Sequence, residues 1–474
     1  MPESNDQGNR PASKPKTAKS STAKPAAAKS AATKPVAKSA ATKAAAKPAV
    51  AKSAATKAAA KPAATETTSA PITPDLAAKA VRSALVKNIR FAGISLLALV
   101  GIGVGSFAFA TYQRATSQQE DTMMAASEVA RDWGLNPLVA VAENIYYGYL
   151  NPAKVGGTPA EAAGFDDKPN SPNVPRDVSK VSPTPEANIP EFGPATEPQQ
   201  LPEPLTSPVK PLPGEGKWRP TKIVVNGATA IYIARIRPDT SHTSIYATVA
   251  WFDTHLLGFS QVPGTKLPEG KFDHGNGKVA NNLRKFYVAG FANGYKMNQS
   301  QGGYVKDGVV VSRLVRGKAT LLTYPDGSID IVKWGRDAYK PGFSVARQNL
   351  NLMVDRGASK VLSNSAAEWG SAWHGTGSGG NYVWRSGVGK TADGNIVYVQ
   401  SAALTAETLA DLLVRAGAVE AMALDMNSGF ANGNLFGPYL PKGKHINPDN
   451  PNPALDFYKT SERDFVAVFA KSPK

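Results

Sequence analysis

The chain of 474 residues contains no cysteine. This absence excludes disulfide bonds, thiolate metal sites and cysteine nucleophiles, and it leaves the redox compartment open. Acidic residues are scarce in residues 1–90, which contain 17 Lys and Arg against 4 Asp and Glu. That segment carries +13 of the net charge of +17, so the other 384 residues carry only +4. The basic character belongs to a tail and does not indicate that the rest of the chain binds nucleic acid.

The tail, residues 1–88, also contains few large apolar residues. The motif AKSAATK occurs in it three times, with Pro interspersed. Repeated Pro and mutually repelling Lys predict a disordered cytoplasmic segment. Two interpretations remain open, a spacer beside an anionic lipid surface and an arm that binds nucleic acid by releasing counterions.

Charge is absent between Arg90 and Arg114, a stretch of 23 residues. At about 1.5 Å per residue, a helix of this length crosses a hydrocarbon layer of about 30 Å. The cations before it favour a cytoplasmic N-terminus. We therefore predict a transmembrane helix over residues 89–113 that acts as an uncleaved signal anchor. The expected product is a single-pass membrane protein whose C-terminal domain is extracytoplasmic.

Three further segments follow the predicted anchor. Residues 114–150 have helical apolar spacing and predict a membrane-proximal helical segment. Residues 151–217 form a Pro-rich stretch, with 16 prolines between positions 151 and 220, which predicts an extended stalk. The folded domain is expected over residues 218–474.

The folded domain is expected to be mixed α+β and strand-rich. β-branched and aromatic runs at Ala230–Arg237 and Ser244–Phe252 predict strands, and Pro325-Asp326-Gly327 predicts a hairpin turn. Near the C-terminus, the strand Asn395–Ser401 is followed by a helix with Thr405 as N-cap and then by the strand Ala421–Met426. These last elements make a strand–helix–strand unit.

Asp425 lies at the end of that last strand, where ligands gather in α/β units. Asn427 and Ser428 follow it and add an amide and a hydroxyl. A buried carboxylate is costly without a partner, so this position calls for a reason. The reason is either chemistry at this end of the strand or an Asx-type turn that closes it.

Three other residues are candidates for the same site. Arg385 follows an aromatic strand and precedes small residues, so it is either an oxyanion or phosphate clamp or a surface cation. Asn293 ends a hydrophobic strand at Asn-Gly, which is also a common turn. His374 precedes a glycine-rich loop that formally matches GxGxxG, but a strand-like segment follows the loop, so nucleotide binding is rejected. HExxH and GxSxG motifs are absent, which removes zinc protease and α/β-hydrolase interpretations.

Taken in order, several segments resemble the phosphodiester glycosidase family. They are FANGY, WRSGVG, DGNIVYVQS and TAETLADLLVRAGAVEAMALDMNSG, at residues 291–295, 384–389, 393–401 and 405–429. The resemblance covers roughly residues 220–470 and implies hydrolysis of a sugar–phosphate diester at the anomeric carbon. It departs from the family in one loop, where Met426 and Asn427 stand in place of two glycines, and FANGY lacks one glycine.

The resemblance implies roles for the candidate residues. Asp425 would stabilise or attack the oxocarbenium-like centre, and Arg385 would hold the departing phosphate. Sugar hydroxyls would be held by Asn293, Asn427 and Ser428. No cofactor is expected, although a divalent cation is left open. The alternative function is a catalytically altered module that binds phosphoglycan of the cell envelope.

Overall fold

The structure, a computed structural model, describes residues 74–118, 122–146, 150–159, 192–362, 366–369, 382–437, 440–454 and 457–472. The chain forms two compact units, Met1–Lys79 and Ala80–Lys474. All described sheets belong to the second unit.

Five helices and twenty strands are described. The helices are α1 (Pro74–Gln118), α2 (Thr122–Asp132), α3 (Asn136–Ile145), α4 (Met297–Ser300) and α5 (Ala406–Arg415). The strands are β1 (Arg219–Pro220), β2 (Val224–Val225), β3 (Ala228–Thr229), β4 (Ile231–Ile236), β5 (Ala247–Phe252), β6 (Leu257–Val262), β7 (Tyr287–Ala292), β8 (Tyr304–Lys306), β9 (Val309–Ser312), β10 (Ala319–Thr323), β11 (Ile329–Lys333), β12 (Val345–Gln348), β13 (Leu352–Asp355), β14 (Ala358–Ser359), β15 (Val383–Thr391), β16 (Ile396–Leu404), β17 (Ala418–Met426), β18 (Gly433–Gly437), β19 (Leu440–His445) and β20 (Phe465–Ala470).

The strands form three large antiparallel sheets and one small one. An eight-stranded sheet has the order β1-β4-β5-β16-β15-β17-β13-β14, and a five-stranded sheet has the order β19-β18-β7-β20-β6. A second five-stranded sheet has the order β11-β10-β12-β8-β9, and β2 pairs with β3. Few helices and many strands agree with the predicted α+β class.

The eight-stranded sheet is buried on both faces. On one face, Phe252 and Leu424 pack in a core cluster with Phe291 and Val468 from the sheet that contains β7 and β20. On the other face, α5 adds residues such as Leu409 to a second cluster. Because both faces are covered, the central strands consist of nearly continuous buried residues.

The strand–helix–strand unit forms as predicted from local signals. Thr405 Oγ1 accepts a hydrogen bond from the amide of Thr408 at 3.1 Å, which caps the first turn of α5. Gly417, at φ +88, follows the helix and leads into β17. In the sheet, β15 lies between β16 and β17 and is antiparallel to both. The two predicted strands are therefore parallel to each other without being neighbours.

Part of the predicted stalk over residues 151–217 packs on the domain. Ala195 and Leu205 are buried, and the ring of Phe192 lies against Gly258 and Gly327. Glu215 accepts hydrogen bonds from the Arg237 guanidinium. Residues 192–217 therefore belong to the folded domain, because their few apolar side chains fill gaps in its core. Residues 160–191 lie outside the described residues.

The N-terminal segments differ from expectation in two respects. Helix α1 begins at Pro74, so residues 74–88, predicted as part of the disordered tail, are helical. Residues 1–73 lie outside the described residues. The segment predicted as membrane-proximal contains α2 and α3. Among the described residues, no helix combines the length and apolar character that a membrane span requires, so the predicted transmembrane helix over residues 89–113 is not confirmed.

Candidate functional site

Asp425 is the last residue but one of strand β17, which ends at Met426. Its carboxylate is buried, and Oδ1 accepts a hydrogen bond from the Met426 amide at 2.9 Å. Arg463 Nη1 donates to Oδ2 at 2.6 Å. The buried carboxylate therefore has a cationic partner, which the sequence left unidentified.

Burial raises the pKa of the Asp425 carboxyl to about 6, although the positive charge of Arg463 opposes this shift. The nearby negative charges of Glu128 and Asp464 raise the pKa further. A carboxyl group with this pKa changes its charge close to neutral pH. Such a shift, caused by desolvation beside one specific cation, is typical of functional carboxylates.

Arg385 lies on β15, directly opposite Met426 in the strand pairing. Its Nε donates to the carbonyl of Leu404 at 2.9 Å, and its Nη1 donates to the carbonyl of Trp369 at 3.2 Å. Burial lowers the pKa of this guanidinium. These bonds hold backbone segments beside the site, whereas the cation that contacts Asp425 is Arg463.

In the loop after β17, Asn427 adopts a backbone conformation that favours glycine. Asn427 has φ +80, a left-handed conformation that Asn adopts more readily than most residues. Its amide donates to the Trp384 carbonyl at 2.9 Å, and its carbonyl accepts from the Ala431 amide at 2.8 Å. Ser428 Oγ approaches Asn427 Oδ1 at 3.5 Å. Met426 has no positive φ, so only Asn427 occupies a position whose backbone favours Gly.

Asn293 follows β7 and is buried beside the segment that precedes β20. Its amide donates to the carbonyl of Asp464 at 3.2 Å, and its Nδ2 donates to Gln261 Oε1 at 2.8 Å. Asp464 accepts a hydrogen bond from the fully buried Arg347 at 3.1 Å. The negative charge of Asp464 also raises the pKa of Asp425, so Asn293 contacts a residue that acts electrostatically on that carboxylate.

Of the remaining predictions, His374 and its glycine-rich loop lie outside the described residues. Among the residues that the structure describes, no group of three His, Asp or Glu side chains is placed to hold a metal ion.

Arg463 and Asp464 are the site residues that sequence reasoning missed. They occur in Ser461-Glu462-Arg463-Asp464, immediately before the buried strand β20. Two opposite charges just before a wholly buried strand could have indicated a site, in the same way as Asp425 at the end of β17. Their position beside Asp425 depends on the pairing of β20 with β7.

A cleft opens beside Arg463. Its interior is small, about 30 Å³, and its lining includes Phe430, Asn432, Phe457, Arg463 and Asp464. Within the described part of the chain, the buried atoms Asn432 Nδ2 and Asp464 Oδ1 have no hydrogen-bond partner.

One protein family matches part of this chain, and the match ends at Asp425 of the site. Residues 281–425 match the family model of the phosphodiester glycosidases, so Asp425 is the last residue of the match. A search of the curated proteins finds no match.

Three solved structures show a low similarity to the chain. A hypothetical protein from Synechocystis is 12% identical over 52% of this chain and 63% of its own, with a TM-score of 0.35. The chain thus spans less than two thirds of that protein. The second is the catalytic domain of zebrafish N-acetylglucosamine-1-phosphodiester alpha-N-acetylglucosaminidase, auto-inhibited by its pro-peptide. It is 15% identical over 52% of this chain and 82% of its own, with a TM-score of 0.32. A putative exported protein from Burkholderia pseudomallei is 12% identical over 48% of this chain and 74% of its own, with a TM-score of 0.24.

Proposed function

We propose that this chain, which contains a phosphodiester glycosidase domain matched over residues 281–425, hydrolyses sugar–phosphate diesters at the anomeric carbon. The observation that carries the proposal is the carboxylate of Asp425, 4% exposed and paired with Arg463. Hydrolysis breaks the bond between the anomeric carbon and the phosphate oxygen. The phosphate leaves as a monoester anion with the electron pair, and a water oxygen bonds to the carbon and loses a proton.

Asp425 stabilises or attacks the positive charge that develops at the anomeric carbon. A phosphate monoester is a good leaving group, so this bond needs less general-acid assistance than an ordinary glycoside. Arg463 fixes the orientation of the carboxylate through its bond to Oδ2. The remaining oxygen, Oδ1, is held by the Met426 amide. One oriented carboxylate beside a cation is therefore sufficient for the proposed chemistry.

The cleft beside Arg463 supports a sugar as the substrate's glycosyl part. Phe430 and Phe457 offer apolar surface, and Asn432 and Asp464 are polar residues of its lining. Sugars combine apolar faces with hydroxyl groups in the same way. We assign the glycosyl group to the mouth of this cleft, because its interior of about 30 Å³ is too small for a sugar ring.

The purified full chain, incubated with a panel of sugar-1-phosphodiesters, tests the proposal. We expect release of free sugar, and its loss in Asp425→Asn. Asp330→Asn is a matched control. Asp330 forms an ion pair with Lys390, with a distance of 2.6 Å between the two charged groups, and this pair is not part of the site. Full activity of Asp425→Asn on a substrate that the wild type hydrolyses would refute the mechanism.

A phosphoglycan-binding module of the cell envelope is the second candidate. It is favoured by Met426 and Asn427, which stand where the family has glycines and leave less room for a substrate. The same panel separates the candidates, since a binding module retains the sugar phosphodiester without releasing sugar.

We also propose that the domain acts outside the cytoplasm and is tethered by residues 89–113. The absence of charge in residues 91–113 and the preceding cations support this arrangement, as does the exposure of Ile102 and Val104 on α1. Extraction of cell membranes with alkaline carbonate tests the tether, because an anchored chain stays in the membrane pellet. In this arrangement the basic tail contacts anionic lipid or nucleic acid on the cytoplasmic side.

A further inference from the structure

Helix α2 lies over the loop that follows Asp425. Two of its side chains, Met124 and Glu128, are spaced by four residues and therefore lie on one face of the helix. Met124 packs so closely on Gly429 that a Cβ at this glycine would meet its sulfur at 2.1 Å. Glu128, 2% exposed, lies one turn further along the helix.

The Glu128 carboxylate is surrounded by cations. Its Oε2 lies 3.0 Å from Lys296 Nζ and 3.2 Å from Arg463 Nη2. On the helical segments themselves, Arg131 Nη1 lies 2.8 Å from Oε1, and Arg114 Nη2 lies 3.7 Å from Oε2. Burial alone would raise the pKa of Glu128, but the charges of Arg463, Lys296 and Arg131 hold it at about 2.

Two of these cations, Lys296 and Arg463, belong to the domain, and Arg463 also binds the carboxylate of Asp425. Lys296 follows β7, and Arg463 precedes β20, the neighbouring strand. Arg463 binds Asp425 through Nη1 and Glu128 through Nη2. A single planar guanidinium thus joins the two carboxylates, and an anion at Nη2 lies next to the group that would act on the anomeric carbon.

The position of Glu128 matches what the departing group of a sugar phosphodiester requires. A phosphate presents charged oxygens to Lys and Arg in the way that a carboxylate does, and it is bonded directly to the anomeric carbon. A cleft of about 240 Å³ is lined by Glu128, Lys296 and Arg463, and the carboxylates of Asp132, Glu269 and Glu462 also line it. Arg463 also lines the cleft assigned to the glycosyl group.

We infer that Lys296 and Arg463 form the binding site for the substrate phosphate, and that Glu128 of α2 occupies this site in the present structure. The inference rests on the proposed function for the identity of the substrate. It assigns the phosphate to Arg463 and Lys296, whereas the sequence assigned it to Arg385. Substrate phosphate binds there only when Glu128 has moved away.

Titration of the full chain with inorganic phosphate by calorimetry tests the inference without requiring turnover. Glu128→Gln removes the competing charge with little change of shape, and we expect it to tighten phosphate binding about tenfold or more. Glu143→Gln is the matched control, because Glu143 pairs with Arg131 at 2.6 Å and with neither proposed phosphate ligand. The double variant Glu128→Gln with Lys296→Met should lose the gain.

Unchanged phosphate affinity in a folded Glu128→Gln variant would overturn the inference, as would a gain that persists without Lys296. The wild type supplies a second measurement: saturating phosphate should speed hydrogen exchange of the α2 amides, and no change would contradict the displacement of Glu128. If phosphate binds as expected but no sugar phosphodiester is hydrolysed, the phosphate site stands and the hydrolase assignment fails.

Discussion

Replacing Asp425 by Asn is expected to stabilise the folded protein while it abolishes turnover. Above pH 7, the wild type holds an ionised carboxylate at a site that is 4% exposed. The pKa of Asp425 is raised from its ordinary value of 3.8 to about 6, so the folded state prefers the neutral form even with Arg463 beside it. Asn has nearly the same shape and carries no charge.

The pKa shift sets the expected magnitude. A rise of about two pKa units corresponds to about 3 kcal/mol of folding free energy at a pH well above 6. For a domain of this size, about 3 kcal/mol shifts the melting temperature by roughly 6 to 12 °C. Because the pKa of Asp425 is higher in the folded state, this destabilisation exists only at pH values above the pKa of the unfolded state. It decreases as pH falls through about 6 and is gone near pH 4.

Thermal unfolding of wild type and Asp425→Asn at several pH values provides the assay. The variant should melt at the higher temperature at pH 8, and the difference should disappear near pH 4. Asp330→Asn, which breaks the half-buried pair with Lys390, should bring no such gain. A variant that melts below wild type at pH 8 would refute the reasoning, because the bond to Arg463 would then outweigh the cost of burying the charge.

Three further predictions concern the same site. The ratio kcat/KM should fall as pH drops through about 6, since protonated Asp425 cannot stabilise positive charge; a flat profile would contradict this. Arg463→Met should move the fall in kcat/KM to higher pH, because it removes the cation bound to Asp425. Arg385→Met should lower the melting temperature without moving that fall, and pH profiles and melting curves measure the two effects. Asn427→Ala should cost about 1 kcal/mol in urea unfolding because of the φ of +80, and Asn427→Gly should be close to neutral.

The elements near the site were predictable because their signals are local. The N-cap at Thr405, the glycine after α5 and the apolar run of β17 lie within about one element of the structure they specify. Asp425 could be identified for the same reason, since its position at a strand end is a property of a few consecutive residues. The Pro-rich composition of residues 192–217 led to the prediction of an extended stalk there. Composition does not reveal that a few apolar side chains, such as Phe192, fit the core.

The sequence by itself determined the strand-rich domain, its strand–helix–strand unit and the carboxylate at the end of β17. The tertiary structure alone decided which charges surround that carboxylate. Arg463 is 38 residues from Asp425 in the chain, and Glu128 is 335 residues from Arg463. No local pattern specifies such pairs, because their contact depends on sheet pairing and on the docking of α2. The cation that orients Asp425 and the carboxylate beside it therefore emerge only when the chain is folded.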